Sequence, residues 1–202
     1  MTRITRRSLL ALGAGLAAGT GPVRFAIGGD TMTASTDTPL GESFALTRPI
    51  HVGTAHLVVA DLDRVKGFYQ TMLGLSVLEQ GMSGAVLGAG SRPLLTLTTR
   101  SDVRRAPRNA AGLFHTAFLL PDRHELGHWL AHAVAQGVRL DGASDHLVSE
   151  AIYLSDPEGN GIEVYRDRSP EEWDFHADGT VEMATLGLDL QGLYDGAPKT
   201  PW

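Results

Sequence analysis

The sequence predicts an α+β fold: two βαβββ modules packed as paired curved sheets around a cleft. Three observations point there. His56 is followed seven residues later by Asp63-Arg64 and His115 by Asp122-Arg123, so the pattern recurs at an offset of 59 residues. Recurrence at a fixed offset marks a duplicated unit. In each copy a helix-period apolar stripe follows, and then short β-prone runs separated by turn residues.

The chain has 202 residues, enough for one ordinary domain or two small halves sharing a core. Residues 1–30 read as a leader outside the fold. Arg6-Arg7 precede a Gly/Ala-diluted apolar run, Leu9 to Ala18, and no acid occurs before Asp30. That arrangement resembles a twin-arginine export signal, which implies export to the periplasm or the medium. The apolar run is shorter than the roughly 20 residues a bilayer span needs, so no stable membrane span is expected. Residues 31–48 are polar and aperiodic and read as a linker.

The first module is expected over 49–108. Its opening strand is Ala55–Ala60, and Asp63 can cap the helix that follows. Val65, Phe68, Tyr69, Met72 and Leu73 form one buried stripe, and Gly74 ends the helix. Strands are expected at Leu75–Leu78, Ala85–Leu87 and Leu94–Thr98. The second module, 109–168, repeats the order with a strand at Phe114–Leu120 and a cap at Asp122. Its stripe is Leu126, Trp129, Leu130, Ala133 and Val134, and Gly137 stops the helix. Strands follow at Val138–Leu140, Ala151–Ser155 and Gly161–Tyr165, the last two joined by the turn Asp156-Pro157-Glu158-Gly159-Asn160. One such module alone is an open sheet with half a core; two together bury both stripes. Residues 169–202 form a tail. Its Glu171, Glu172, Trp173 and His176 carry no assigned chemistry, and His51 reads as structural or exposed.

Composition excludes several functions. Seventeen Lys and Arg against 23 Asp and Glu give a formal charge of −6, with no basic face for nucleic acid. The absence of cysteine removes disulfides, thiol catalysis, thiolate zinc sites and iron–sulfur clusters. Any metal must be held by His, Asp or Glu.

His124-Glu125-Leu126-Gly127-His128 is literally HExxH, the spacing of a zinc peptidase. At about 100° per residue, however, His124, His128 and His132 fall opposite the apolar stripe. They are expected on a polar outer face.

The run Ser144 to Tyr165, and the tail Val181-Glu182-Met183-Ala184-Thr185 with Leu188-Asp189-Leu190, resemble the vicinal oxygen chelate superfamily, in particular its short catechol-2,3-dioxygenase-like members. The resemblance covers residues 50–195. It implies a metal cleft with ligands from the first and last strands of each module: His56, His115 and Glu163. The fourth such position falls in Leu94–Thr98, where no side chain is a good ligand. Two histidines and one carboxylate suit non-haem Fe(II), with Mn(II) as an alternative. The implied activity is extradiol-type cleavage of a catechol-like aromatic by O₂, with Tyr153 contacting substrate or oxygen and His146 as acid/base or orienting group. Larger extradiol enzymes also carry an acid/base histidine between their first two ligands, and residues 57–114 contain none. Other function classes are a binding or resistance protein that sequesters a small aromatic ligand without turnover, and an HExxH zinc hydrolase. Proteins of this fold commonly pair, so the resemblance also admits a homodimer.

Overall fold

The computed structural model describes residues 10–12, 52–100, 102, 104, 107 and 110–202. His51, the linker and all of the expected leader except Leu10–Leu12 lie outside the described residues. The two modules appear as two mixed sheets in an α+β arrangement. In the first, β2 (Ala55–Val59), α1 (Leu62–Leu73), β3 (Ser76–Gln80), β4 (Gly84–Ala89) and β5 (Arg92–Thr99) give the sheet order β2-β5-β4-β3. In the second, β6 (Thr116–Leu119), α2 (Arg123–Ala135), β7 (Leu140–Asp145), β8 (Ser149–Ser155) and β9 (Gly161–Asp167) give β6-β9-β8-β7. The orders match strand for strand, and in both modules the first strand runs parallel to the last. Two short strands extend the second sheet. β1 (Leu10–Leu12) pairs with β6, and β10 (Leu186–Gly187) with β7.

One apolar core joins the modules. Leu57 and Val59 of β2, Leu95 and Leu97 of β5, the stripe of α1, Phe118 of β6, Leu126, Trp129, Leu130 and Ala133 of α2, and Ile152 and Leu154 of β8 form a single cluster. Burying each large side chain contributes on the order of 1.5–3 kcal/mol, so neither half is independent of the other. Strand alternation leaves His56, Val58, Thr96 and Thr98 on the opposite face of the first sheet. In the second it leaves Ala117, Leu119, Ala151, Tyr153, Glu163 and Tyr165 there.

Directional bonds also cross between modules, and they concentrate on α1. At its N-terminus the Glu158 carboxylate accepts from the backbone N–H of Ala60 at 2.9 Å and of Asp61 at 2.7 Å. At its C-terminus Trp129 Nε1–H donates to the Met72 carbonyl at 2.8 Å, and His132 Nε2 lies 2.8 Å from the Thr71 carbonyl. An acid at the positive end of a helix and N–H donors at its negative end both favour the macrodipole. Midway along, burial and the Asp156 carboxylate hold the Tyr69 phenol neutral, well above its ordinary range.

Four expectations are corrected. The α1 cap is Asp61, which accepts from Arg64 N; Asp63 lies inside the first turn. The last turn of α2 leaves Val134 52% exposed. Phe114 precedes β6 and is 81% exposed, because the strand begins only at Thr116. His128 is buried, because the tail with α3 (Leu190–Asp195) covers the helix and Thr200 brings its carbonyl 2.8 Å from His128 Nε2.

Candidate metal centre and its hydrogen-bond chain

His115 stands one residue before β6, where Gly161 of β9 passes close by. A Cβ at Gly161 would meet the Phe114 carbonyl oxygen at 2.2 Å and the His115 Cα at 3.3 Å. Only glycine lets the two strands approach so closely there. Two residues on, β9 presents Glu163, and His115 Nε2 lies 2.8 Å from Glu163 Oε2. Tyr153 of β8 pairs directly across from Glu163. Its hydroxyl donates to Glu163 Oε1 at 2.8 Å and lies 2.9 Å from His146 Nε2. The other ring nitrogen, His146 Nδ1, donates to the Ala184 carbonyl at 2.8 Å. A carbonyl can only accept, so Nδ1 carries a proton and Nε2 faces the phenol. The result is a continuous chain: His115, Glu163, Tyr153, His146, and the backbone of the tail.

The turn holding His146 is under strain. Leu147 adopts φ 69°, a left-handed conformation that a branched side chain rarely takes. Asp145 fixes it by accepting from Leu147 N at 2.9 Å, while Arg168 grips the same carboxylate with two N–H groups. The Arg168 hydrogen bond holds the Asp145 carboxyl down at about 2.

The site is short of positive charge. Burial raises the Asp167 carboxyl above its usual range against the pull of Arg166, and the charge of Glu163 raises it further. Burial first, then the Glu163 carboxylate, pushes the Tyr153 phenol far up, so it stays a neutral donor. Partly buried acids with an imidazole nitrogen aimed among them are a donor set that a divalent cation relieves. His115 and Glu163 supply two such donors, and among the described residues no third His, Asp or Glu joins them.

The structure brings together His115, Glu163, Tyr153 and His146 and leaves His56 apart. His56 belongs to the other sheet and is exposed, and among the described residues no three His, Asp or Glu side chains group closely enough to hold an ion. The HExxH residues do not converge on an ion either. His128 and His132 are turned to two different carbonyls, and His124 is exposed. Two functional candidates escaped sequence reasoning. Phe114, whose ring lies 4.9 Å from that of His115, looked like a core strand residue. Glu158 looked like a solvated turn residue, with no local signal of its partners on α1.

Comparison with known proteins agrees with this architecture. A catechol-2,3-dioxygenase of Bacillus subtilis is 43% identical over 149 residues, 73% of this chain. The chain spans about half the length of that relative, 52%. Among solved structures, a glyoxalase/bleomycin resistance protein/dioxygenase from Alicyclobacillus acidocaldarius superposes with a TM-score of 0.50 at 18% identity, covering 62% of this chain and 98% of its own. A glyoxylase/bleomycin resistance protein/dioxygenase domain from a Frankia species gives 0.51 at 16%, covering 61% and 96%. These two likenesses show the fold. The family description matches residues 48–164, more than half of the sequence, and the chain belongs to the glyoxalase/bleomycin resistance protein/dioxygenase superfamily.

Proposed function

We propose that the protein is an extradiol-type ring-cleaving dioxygenase acting on a catechol-like aromatic with O₂. The observation that carries this reading is the chain His115–Glu163–Tyr153–His146, supported by the likeness to a catechol-2,3-dioxygenase. In it His115 and Glu163 would hold Fe(II), or Mn(II) in its place, with His56 as the third ligand that the resemblance implies. When bound, the ion would supply a Lewis-acidic, redox-active centre for the reaction of a catechol with O₂.

The chain's own residues do the remaining work. Glu163 offers one oxygen to the ion and keeps the other on the Tyr153 hydroxyl. Tyr153, held neutral, orients that carboxylate and relays its charge to His146. With Nδ1 fixed on Ala184, His146 has Nε2 as the ring atom that can exchange a proton with a bound hydroxyl. When Nε2 carries that proton it donates to the phenol oxygen, and Tyr153 keeps its own proton and donates it to the Glu163 carboxylate. Phe114 and Leu113, exposed beside His115, offer an apolar lip to an aromatic ring. The reading also takes the Arg6-Arg7 leader as an export signal, so the activity is expected outside the cytoplasm, with a homodimer as the assembly to test.

The test is anaerobic reconstitution with Fe(II), followed by catechol and air. Iron-dependent O₂ uptake with a yellow ring-opened product supports the reading. Tight binding of the aromatic without turnover under any divalent metal would instead make this a sequestering protein.

A further inference from the structure

We infer that Arg168 is a positioning residue for His146: its guanidinium grips Asp145, Asp145 holds Leu147 in the left-handed conformation, and the turn so fixed aims the imidazole at the Tyr153 hydroxyl. The inference deepens the function proposed above and rests on its use of His146 as the proton-handling group. It needs no bound ion, because every contact in it lies within the second module and the tail.

Residues 146–148 join β7 to β8, and Leu147 at φ 69° is the one non-glycine residue in a left-handed conformation among the described residues. Such a conformation persists only where its surroundings over-determine it. Three bonds do so here. Leu147 N donates to Asp145 Oδ1 at 2.9 Å, His146 N to the Ser149 carbonyl at 2.8 Å, and Arg168 N to the Val148 carbonyl at 2.8 Å. The first depends on where the Asp145 carboxylate stands. Arg168 decides that, with one side-chain N–H group on each carboxylate oxygen. A forked cation on a carboxylate fixes orientation as well as distance.

At Glu150 the charge of Arg168 is spare. That carboxylate already takes bonds from Arg166 at 2.8 Å and Arg123 at 3.1 Å, and Arg168 stands 3.6 Å from it. Arg168 also follows β9 directly, five residues after Glu163. One strand therefore anchors both ends of the row. Glu163 receives the Tyr153 hydroxyl, and Arg168 sets the turn that brings His146 Nε2 to 2.9 Å from the same hydroxyl. A displaced turn takes the ring away from both the phenol and the Ala184 carbonyl, and Nδ1 then loses the acceptor that keeps its proton there. Lysine supplies the charge without the fork, so Arg168→Lys separates orientation from electrostatics.

The experiment reads the His146 ring in the full chain without added metal, by long-range proton–nitrogen NMR at about pH 8.5, where an ordinary imidazole is neutral. The signal missing from His146→Gln assigns it. In the wild type a single tautomer is expected, with the proton on Nδ1 and slow to exchange. Arg168→Lys and Asp145→Asn should each give a mixture of tautomers and speed that exchange by about tenfold or more, with amides elsewhere in β8 and β9 unchanged. The double variant should do no more than either single one, since both open the same clasp. Leu147→Gly removes the strain, so adding Arg168→Lys to it should move the ring less. A wild-type ring in Arg168→Lys, additive effects in the double variant, an undiminished effect in Leu147→Gly, or protection lost evenly over the whole chain would reduce the contact to an ordinary ion pair and overturn the inference. The function is tested apart from it: an iron-loaded His146→Gln that consumes O₂ with catechol at the wild-type rate would take His146 out of the chemistry, whatever the ring spectrum shows.

Discussion

The two modules share a strand order and differ in what they place on the face turned from the helices. Register makes the difference exact to the residue. Val58 pairs with Thr98 across β2–β5, and 59 residues later Ala117 pairs with Glu163 across β6–β9. Thr98 therefore occupies the place of Glu163. Thr98 pairs in turn with Gly84, as Glu163 does with Tyr153. The first module has a hydroxyl and no side chain where the second has a carboxylate and a phenol. Duplication supplied two equivalent scaffolds, and the acid–phenol–imidazole chain was built on one of them.

The sharpest way to break this comparison is to remove the equivalent residues in turn. Glu163→Ala should lower Fe(II) affinity by at least about 100-fold, above the usual cost of an outer-shell change. Thr98→Ala should leave affinity and metal content at the wild-type level. Both variants should keep the far-UV spectrum of the fold. Equal metal content across the three proteins would remove Glu163 from the site.

A middle-sized effect sits opposite Thr98. A Cβ at Gly84 would meet the Leu97 carbonyl oxygen at 2.6 Å. Gly84→Ala should therefore destabilise the protein by about 1–3 kcal/mol in urea unfolding, the usual range for overpacking. Fe(II) affinity per folded molecule should not change. A neutral Gly84→Ala would mean that a side chain fits here, and that the first module lacks its phenol for some other reason.

The smallest effect belongs to the strained turn, which the second module alone needs. The Asp145 carboxyl titrates at about 2 in the folded chain, against about 3.9 in an unfolded one. Its stabilisation is thus fully present above about pH 4 and is lost as pH falls through about 2. Asp145→Asn should cost on the order of 1 kcal/mol at pH 7, since the pair is partly screened by solvent. The gap to wild type should close as the melts are repeated towards pH 2. A gap that stays constant with pH would show that the Arg168 pair contributes through shape and not through charge.

What could be read from the sequence divides along the same physical line. The repeat, the two stripes, the second cap at Asp122 and the turn at 156–160 depend on contacts within a few residues or on periodicity, and these the chain displays openly. That Tyr153 and Glu163 can share a face follows from strand alternation, but their direct pairing depends on the β8–β9 register. Misplaced or unseen features depend on partners far along the chain. Asp61 and Asp63 both suit a cap, and only the helix geometry separates them. His128 sits at an outward angle of α2, yet the tail covers it from 72 residues away. Glu158 finds its partners 97 and 98 residues back. No local pattern encodes such distances.

The double grip on α1 has a consequence for how the molecule comes into being. As the chain leaves the ribosome, residues 62–73 appear long before 129, 132 and 158. At roughly 5–20 residues per second, several seconds separate the helix from the groups that finish its ends. Until then the Ala60 and Asp61 amides and the Thr71 and Met72 carbonyls have only water, while the local Asp61 cap on Arg64 N can already form. The bonds from Glu158 can form only once the β8–β9 hairpin has closed back on the beginning.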